Sequence, residues 1–161
     1  MVFVVLMGVA GSGKTTIGRA LAAELGWKFY DADDFHPPAS VAKMARGIPL
    51  DDVDRRPWLD ALGALVRACL ARGESAVLAC SALKADYRAH LLIDDRVKLA
   101  YLKGSFDLIQ KRLANRRGHF MSAAMLESQF AALEEPEREF HMDISATPVE
   151  IVRAIRLRFG V

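Results

Sequence analysis

The sequence predicts an α/β protein built on a five-stranded parallel sheet with helices on both faces. Three observations carry this reading. Short runs rich in β-branched and aromatic residues alternate with helical patterns of ten or more residues, the order that builds parallel sheets. The first run, Val2–Met7, is apolar at every position, as a strand covered on both faces must be. Of 161 residues, 52% are hydrophobic, enough for the core of one domain spanning 1–161.

Each element has its own signal. Strands are expected at Val2–Met7, Lys28–Asp31, Ala76–Cys80, Val97–Leu102 and Phe140–Ile144. Gly26 after Leu25 suits the stop of the first helix, because glycine adopts the left-handed turn of a helix end without a Cβ penalty. Ser105 and Asp107 suit the start of another helix. Thr147-Pro148-Val149-Glu150 reads as a capping box with proline in the first turn, opening the last helix. Asp33–Ser40, Arg46–Pro57 and Asn115–Ser122 are polar or punctuated by Gly and Pro. They read as loops, at the places where an α/β fold builds its site.

Charge and composition narrow the function classes. There are 22 basic and 20 acidic residues, a net charge of +2, which is not the balance of a dedicated nucleic-acid binder. Cys69 and Cys80 are too few for a disulfide framework and lack zinc-site spacing; both lie in apolar runs, as buried reduced thiols do. The N-terminal apolar run has no basic region before it and is too short for a signal segment or membrane span. The expectation is a cytoplasmic protein without nucleic-acid or membrane partners.

Gly8-Val9-Ala10-Gly11-Ser12-Gly13-Lys14-Thr15 fits the G-x-x-x-x-G-K-[ST] phosphate loop, and it follows an apolar strand and opens an amphipathic helix, the setting the motif requires. Glycines let the backbone curl so that successive N–H groups meet phosphate oxygens, and the helix N-terminus adds donors and a positive dipole end. Lys14 would bridge the β- and γ-phosphates of a nucleoside triphosphate, and Thr15 would hold Mg²⁺ through its hydroxyl. A guanine-reading N-K-x-D motif is missing: the single asparagine, Asn115, is followed by Arg116. Asp60–Gly63 matches D-x-x-G but lies in a helical pattern. The strand Ala76–Cys80 ends in Ser81 rather than in the acid pair of a motor-type ATPase.

The second strand ends in Asp31-Ala32-Asp33-Asp34-Phe35-His36-Pro37. Asp31 can bind a Mg²⁺-bound water. Asp33 can accept the proton of an attacking hydroxyl, a role worth roughly 10²–10⁴ in rate. A polar turn with an Asp cap would use the same residue types. His36 either binds an acceptor hydroxyl or packs beside Pro37. Lys43 and Arg55 either clamp a carboxylate or lie on solvated helix surface. Lys84, Tyr87 and Arg88 share one helical face at i, i+3 and i+4, a face that meets an anionic substrate or water. Arg112, Arg116, Arg117 and His119 suit a lid that closes over phosphates, neutralises charge and excludes water.

Taken together, Gly8–Thr15, Asp31-Ala32-Asp33 with His36-Pro37, Lys43-Met44, Asp54-Arg55 with Pro57-Trp58, Cys80-Ser81-Ala82-Leu83-Lys84 with Tyr87-Arg88, and Arg116-Arg117-Gly118-His119-Phe120 resemble the gluconokinases. Gln129-Phe130 and Leu133-Glu134-Glu135-Pro136 extend the likeness over nearly the whole chain. The resemblance implies a three-layer α/β/α P-loop kinase fold of the nucleoside-monophosphate-kinase type, with a mobile lid at about 112–135. It implies transfer of the ATP γ-phosphate to the 6-hydroxyl of D-gluconate, giving 6-phosphogluconate and ADP, by a homodimer using Mg²⁺. It assigns catalysis to Lys14, Asp33 and Arg116, and adds Thr16, Arg112 and Arg116 to the ATP site. It places Asp33, His36, Lys43, Arg55, Ser81, Lys84, Arg88, His119 and Gln129 around gluconate, and Thr15 and, through water, Asp31 at the metal. The family pattern often has Gly where this chain has Ala32 and a hydrophobic residue where it has Asp34. Shikimate kinase, or another small-acid kinase on the same scaffold, shares the two-acid strand end, but its segment after the third strand should be Gly-rich. A nucleoside-monophosphate kinase typically shows Asp-Gly-Phe-Pro-Arg there. A nucleotide sensor without catalysis is the reading from another class, and retention of Lys14, Thr15 and Asp33 argues against it.

Overall fold

The run Phe3–Met7 has no polar side chain to offer to water, so it can only be a strand with both faces covered. In the computed structural model, which describes residues 1–116 and 122–161, it is β1, and all five of its residues are fully buried. The other strands are β2 (Lys28–Asp31), β3 (Ala76–Ala79), β4 (Val97–Lys103) and β5 (Phe140–Asp143). Their order in the sheet is β2-β3-β1-β4-β5, and every neighbouring pair is parallel.

Strand ends differ from the sequence reading by a residue or so. Val2 leaves the ladder because its N–H donates to Ser75 Oγ at 3.1 Å. β3 stops one residue short of Cys80, although the Cys80 N–H still donates to Leu6 O at 3.0 Å. β4 runs on to Lys103, which pairs with Asp143. β5 ends there, and Ile144 then donates to Lys103 O.

Alternation along β1 sorts the core into two layers. Phe3, Val5 and Met7 face α3 (Asp52–Arg72), meeting Trp58, Leu59, Leu62 and Val66. Val4 and Leu6 face α1 (Lys14–Leu25), α5 (Phe106–Ala114), α6 (Ala123–Ala132) and α7 (Pro148–Phe159), through side chains such as Leu21, Ile109, Leu126 and Ile155. Each large apolar side chain buried in this way contributes about 1.5–3 kcal/mol. α2 (Pro38–Ala45) and the five-residue α4 (Ala85–Ala89) complete the set. Among the described residues no helix is long and apolar enough to cross a membrane.

Two of the expected loops are more ordered than composition suggested. Ala32–Phe35 is a 3₁₀ turn capped by Asp31, whose side chain accepts from the Asp33 N–H, and Pro38 then opens α2. The stretch Arg46–Pro57 is helical from Asp52 onward. There Asp51 accepts from Asp54 N at 2.7 Å and Asp54 accepts from Asp51 N at 3.1 Å, a reciprocal cap made with Asp in place of Glu. Pro57 therefore sits inside α3 rather than before it. The Asn115–Ser122 stretch lies mostly outside the described residues, as do Arg117 and His119.

Gly26 ends α1 at φ 65°, Ser105 caps α5, and Thr147 with Glu150 forms the expected box on α7. Replacing Thr147 with Ala removes the acceptor for the Glu150 N–H. Thr147→Ala should cost about 1 kcal/mol, seen as a lower urea midpoint with an unchanged slope. An unshifted midpoint would mean that the box contributes nothing to α7.

Candidate functional site

All strands of a parallel sheet leave at the same edge, so their following loops meet there. β1 runs into Gly8, β2 into the Asp33 turn, β3 into Ser81 and β4 into Gly104. The phosphate loop needs its glycines for space and for backbone shape. A Cβ on Gly8 would lie 2.4 Å from Ser12 Oγ, and Gly11 and Gly13 stand at φ 79° and 94°. Lys14 curls back over the loop, its Nζ donating to Gly8 O at 2.9 Å and Val9 O at 3.0 Å. Burial lowers the Lys14 pKa, with Arg116 adding to the effect and Asp33, Cys80 and Asp31 opposing it. Ser12 Oγ is buried without a partner among the described residues. The N–H of Ala10 donates to Gln129 Oε1 at 2.7 Å, so α6 is docked directly on the loop, and Gln129, expected around the acceptor, has its amide oxygen turned to the phosphate loop instead.

Thr15 and Asp31 meet as the sequence suggested, with Thr15 Oγ1 donating to Asp31 Oδ2 at 3.3 Å. A hydroxyl and a carboxylate at the root of a phosphate loop are an oxygen donor set that fits Mg²⁺, which prefers few protein ligands, water and phosphate. Asp33 stands beside them at the open edge of the turn, where protein crowding raises its pKa. Desolvation is the first cause and Asp31 the second, with Lys14 and His36 pulling the other way. Asp34 is exposed. His36 stacks on Trp58 at 4.5 Å between ring centroids, and Trp58 Nε1 donates to Ala32 O at 2.7 Å. That pair holds the turn on α3. Burial, aided by Arg55, keeps His36 below its ordinary pKa and so neutral, against Asp33.

The acceptor-side cations gather around the start of α3. Lys43 Nζ contacts both oxygens of Asp54 at 2.9–3.0 Å. Lys84 Nζ donates to Asp52 Oδ1 at 3.1 Å. Arg55 Nη1 donates to the Tyr87 hydroxyl at 3.1 Å, and that hydroxyl in turn donates to Asp52 in a short contact. These bonds raise the pKa of Lys43 and Lys84 and lower those of Asp54 and Asp52, the latter first through Tyr87 and then through Lys84. Ser81 is half-buried at the end of β3.

The expected common face of Lys84, Tyr87 and Arg88 does not form. Lys84 is the residue before α4, while Tyr87 and Arg88 are both buried, because they lie on the inner side of α4 and its solvated side is Ala85, Asp86 and Ala89. Arg88 Nη1 donates to Ala82 O at 2.9 Å and Leu83 O at 3.2 Å. Cys80 is buried beside this loop and its thiol is pushed up to about 12 by desolvation, which suits packing rather than chemistry.

Arg112 and Arg116 border a groove of about 240 Å³ shared with Gly11, Gly13, Thr16 and Pro148. Arg112 is pinned there by donating to Ile144 O at 2.6 Å. Arg116 is exposed, and His119 lies outside the described residues. A larger groove of about 640 Å³, lined by Lys98, Phe140 and Arg158 among others, lies at the opposite ends of β4 and β5, and none of the expected site residues lines it. Sequence reasoning missed Asp52 as the partner of two site residues and Trp58 as the support of the Asp33 turn. The run Asp51-Asp52-Val53-Asp54 was the available signal for the first; nothing local marked the second.

Likeness to known proteins bears on the family and the fold. The family model for shikimate kinase matches residues 10–150. A probable gluconokinase of Mus musculus is 45% identical over 171 aligned positions covering 93% of each chain. The gluconokinase of Gluconobacter oxydans is 47% identical over 135, covering 83% of this chain and 76% of its own. The crystal structure of a gluconokinase from Sinorhizobium meliloti superposes with a TM-score of 0.89 at 38% identity, covering 99% of this chain and 91% of the other.

Asp33 carries a test of the site's electrostatics. Its folded-state pKa lies above its unfolded one. Its contribution to stability is therefore complete below the ordinary Asp range, about pH 4, and is lost as pH rises through the folded value. At neutral pH the ionised carboxylate burdens the fold. Asp33→Asn should raise Tm at neutral pH, and the gain should vanish at acid pH. A lower Tm at neutral pH would mean that the native carboxylate is stabilised by its surroundings.

Proposed function

This chain belongs to the gluconokinase family, and from that premise we propose how its residues divide the work. The chain is an ATP-dependent kinase that phosphorylates the hydroxyl of a sugar acid, gluconate. The observation that carries the residue-level reading is the meeting of Lys14, the Thr15–Asp31 pair and Asp33 at one edge of the sheet.

In this reading the loop from Gly8 to Thr15 cradles the ATP phosphates, and Thr16, Arg112 and Arg116 border the rest of the nucleotide. Lys14 exchanges its two carbonyl partners for phosphate oxygens. Thr15 and Asp31 hold Mg²⁺, Asp31 through water; the ion supplies charge neutralisation on the phosphates. Asp33 takes the proton of the 6-hydroxyl of D-gluconate, its raised pKa making it a better base than an ordinary Asp. Arg116 meets charge that develops on the transferring phosphoryl group. His36, Lys43, Arg55, Ser81 and Lys84 surround gluconate. Its carboxylate competes with Asp52 and Asp54 for the two lysines. Gln129 carries the lid, residues 112–135, into register with the loop through Ala10. His119 belongs to the same lid by resemblance. A single domain, homodimer assembly and a cytoplasmic location complete the proposal.

Shikimate is the second acceptor worth testing, because the matched family model is that of shikimate kinase. Cys80-Ser81-Ala82-Leu83-Lys84 argues against it, since that enzyme should be Gly-rich there.

The experiment is coupled ADP release with Mg²⁺ and ATP across gluconate, related aldonic acids, shikimate and nucleoside monophosphates. Turnover should require gluconate or a close aldonic acid; turnover of shikimate or AMP without gluconate would overturn the substrate reading.

The role of the two neighbouring acids is tested separately. Asp33→Asn keeps shape but removes the proton acceptor. It should lower kcat by roughly 10²–10⁴, toward the lower end because a loose transition state needs the proton removed late, with little change in KM. Asp34→Asn should do far less. The reverse ranking would shift the base assignment by one position.

A further inference from the structure

The loop after β3 holds a conformation that needs support. Ala82 stands at φ 44°, the one non-glycine residue with positive φ among the described residues, and it is fully buried. Residues with a Cβ disfavour that region, and a buried site gives the backbone no water to lean on. It persists only where the surroundings over-determine it.

The support comes from two sides. From within, Arg88, only 7% exposed, aims Nη1 at Ala82 O (2.9 Å) and Leu83 O (3.2 Å), with Met7 Sδ at 3.8 Å. From without, the segment after α6 binds the same loop: Glu134 N donates to Leu83 O at 2.8 Å, and Ala85 N donates to Glu134 Oε1 at 2.8 Å. A buried guanidinium whose donors are turned to two successive carbonyls fixes the peptide planes of 82 and 83. Ser81 and Lys84 are the residues on either side of those planes.

We infer that Arg88 is a positioning residue. It holds Ala82 in its left-handed conformation and so sets the backbone from which Ser81 and Lys84 are presented to the acceptor. It acts on gluconate through that loop and does not bind it. The kinetic part of this inference rests on the gluconokinase reading; the structural part does not.

The test is a cycle of four proteins: native, Ala82→Gly, Arg88→Met and the double variant. Glycine takes a positive φ unaided, so it should replace what Arg88 provides to residue 82. Arg88→Met should raise the gluconate KM roughly tenfold or more, with the ATP KM changed less than about twofold. Ala82→Gly alone should be near native, and the double variant should recover most of the lost gluconate affinity. Arg88→Lys, with a single compact donor group, should fall between native and Arg88→Met. A double variant as impaired as Arg88→Met, or an unchanged gluconate KM in Arg88→Met, overturns the inference. Should Arg88→Met fail to fold, Arg88→Lys with and without Ala82→Gly is read in the same way. Thermal midpoints give the reading that needs no acceptor: Ala82→Gly should raise Tm more in the Arg88→Met background than in the native one. Additive shifts overturn the Arg88 assignment, whereas a native protein inactive on gluconate would sink the functional reading alone.

Discussion

The site exists because five strands run in the same direction. β1 lies at the centre, is buried on both faces, and pairs in parallel with β3 and β4. Its carboxyl end must therefore release the phosphate loop between the loops that follow its neighbours. The acid turn after β2 and the Ser81 loop after β3 arrive on one side, and α5 with Arg112, followed by Arg116, on the other. No residue of the site lies on β1, yet each takes its position from it. The large groove at the far ends of β4 and β5 lies at the opposite edge from these loops.

The cations of the acceptor side are already partnered by the chain's own acids. Asp52 and Asp54 lie in the first turn of α3, where the helix dipole favours negative charge, and they hold Lys84 and Lys43. Both bridges are open to solvent, where water and salt screen such pairs and leave them weak. The arrangement keeps two flexible side chains ordered without locking them, and Lys14 is kept ordered likewise by two carbonyls of its own loop.

The two acids of β2's end are set apart by their partners. Asp31 gives one oxygen to Thr15 and the other to the Asp33 N–H, so it is tied to the backbone and to the loop. Around Asp33 desolvation comes first and the like charge of Asp31 second, and both favour the protonated form. Position in one short turn thus ties one carboxylate to its neighbours and leaves the other the more easily protonated.

Much of this was legible in the sequence because it is local. The apolar run before Gly8, the glycines of the loop, Gly26, Ser105 and the Thr147–Glu150 box each express a constraint that acts within a few residues, and each formed as read. The strand order, the partners of Lys43 and Lys84, the Trp58 support beneath the Asp33 turn and the burial of Arg88 were not legible. Each depends on which surfaces the sheet brings together across tens of residues, as in the bond from Trp58 to Ala32 or from Lys84 to Asp52. Arg88 shows the difference most plainly. Spacing alone put it on a basic helical face, but α4 is one turn long and packs its inner side on the sheet, so only the tertiary structure could turn that charge inward onto the Ala82 and Leu83 carbonyls. Sequence determined the phosphate loop and the strand–helix alternation because short-range sterics and hydrogen bonding specify them. Tertiary structure decided which cations pair with the acids of α3 and which turn inward onto the Ala82 loop, because burial is a property of the assembled sheet rather than of any segment.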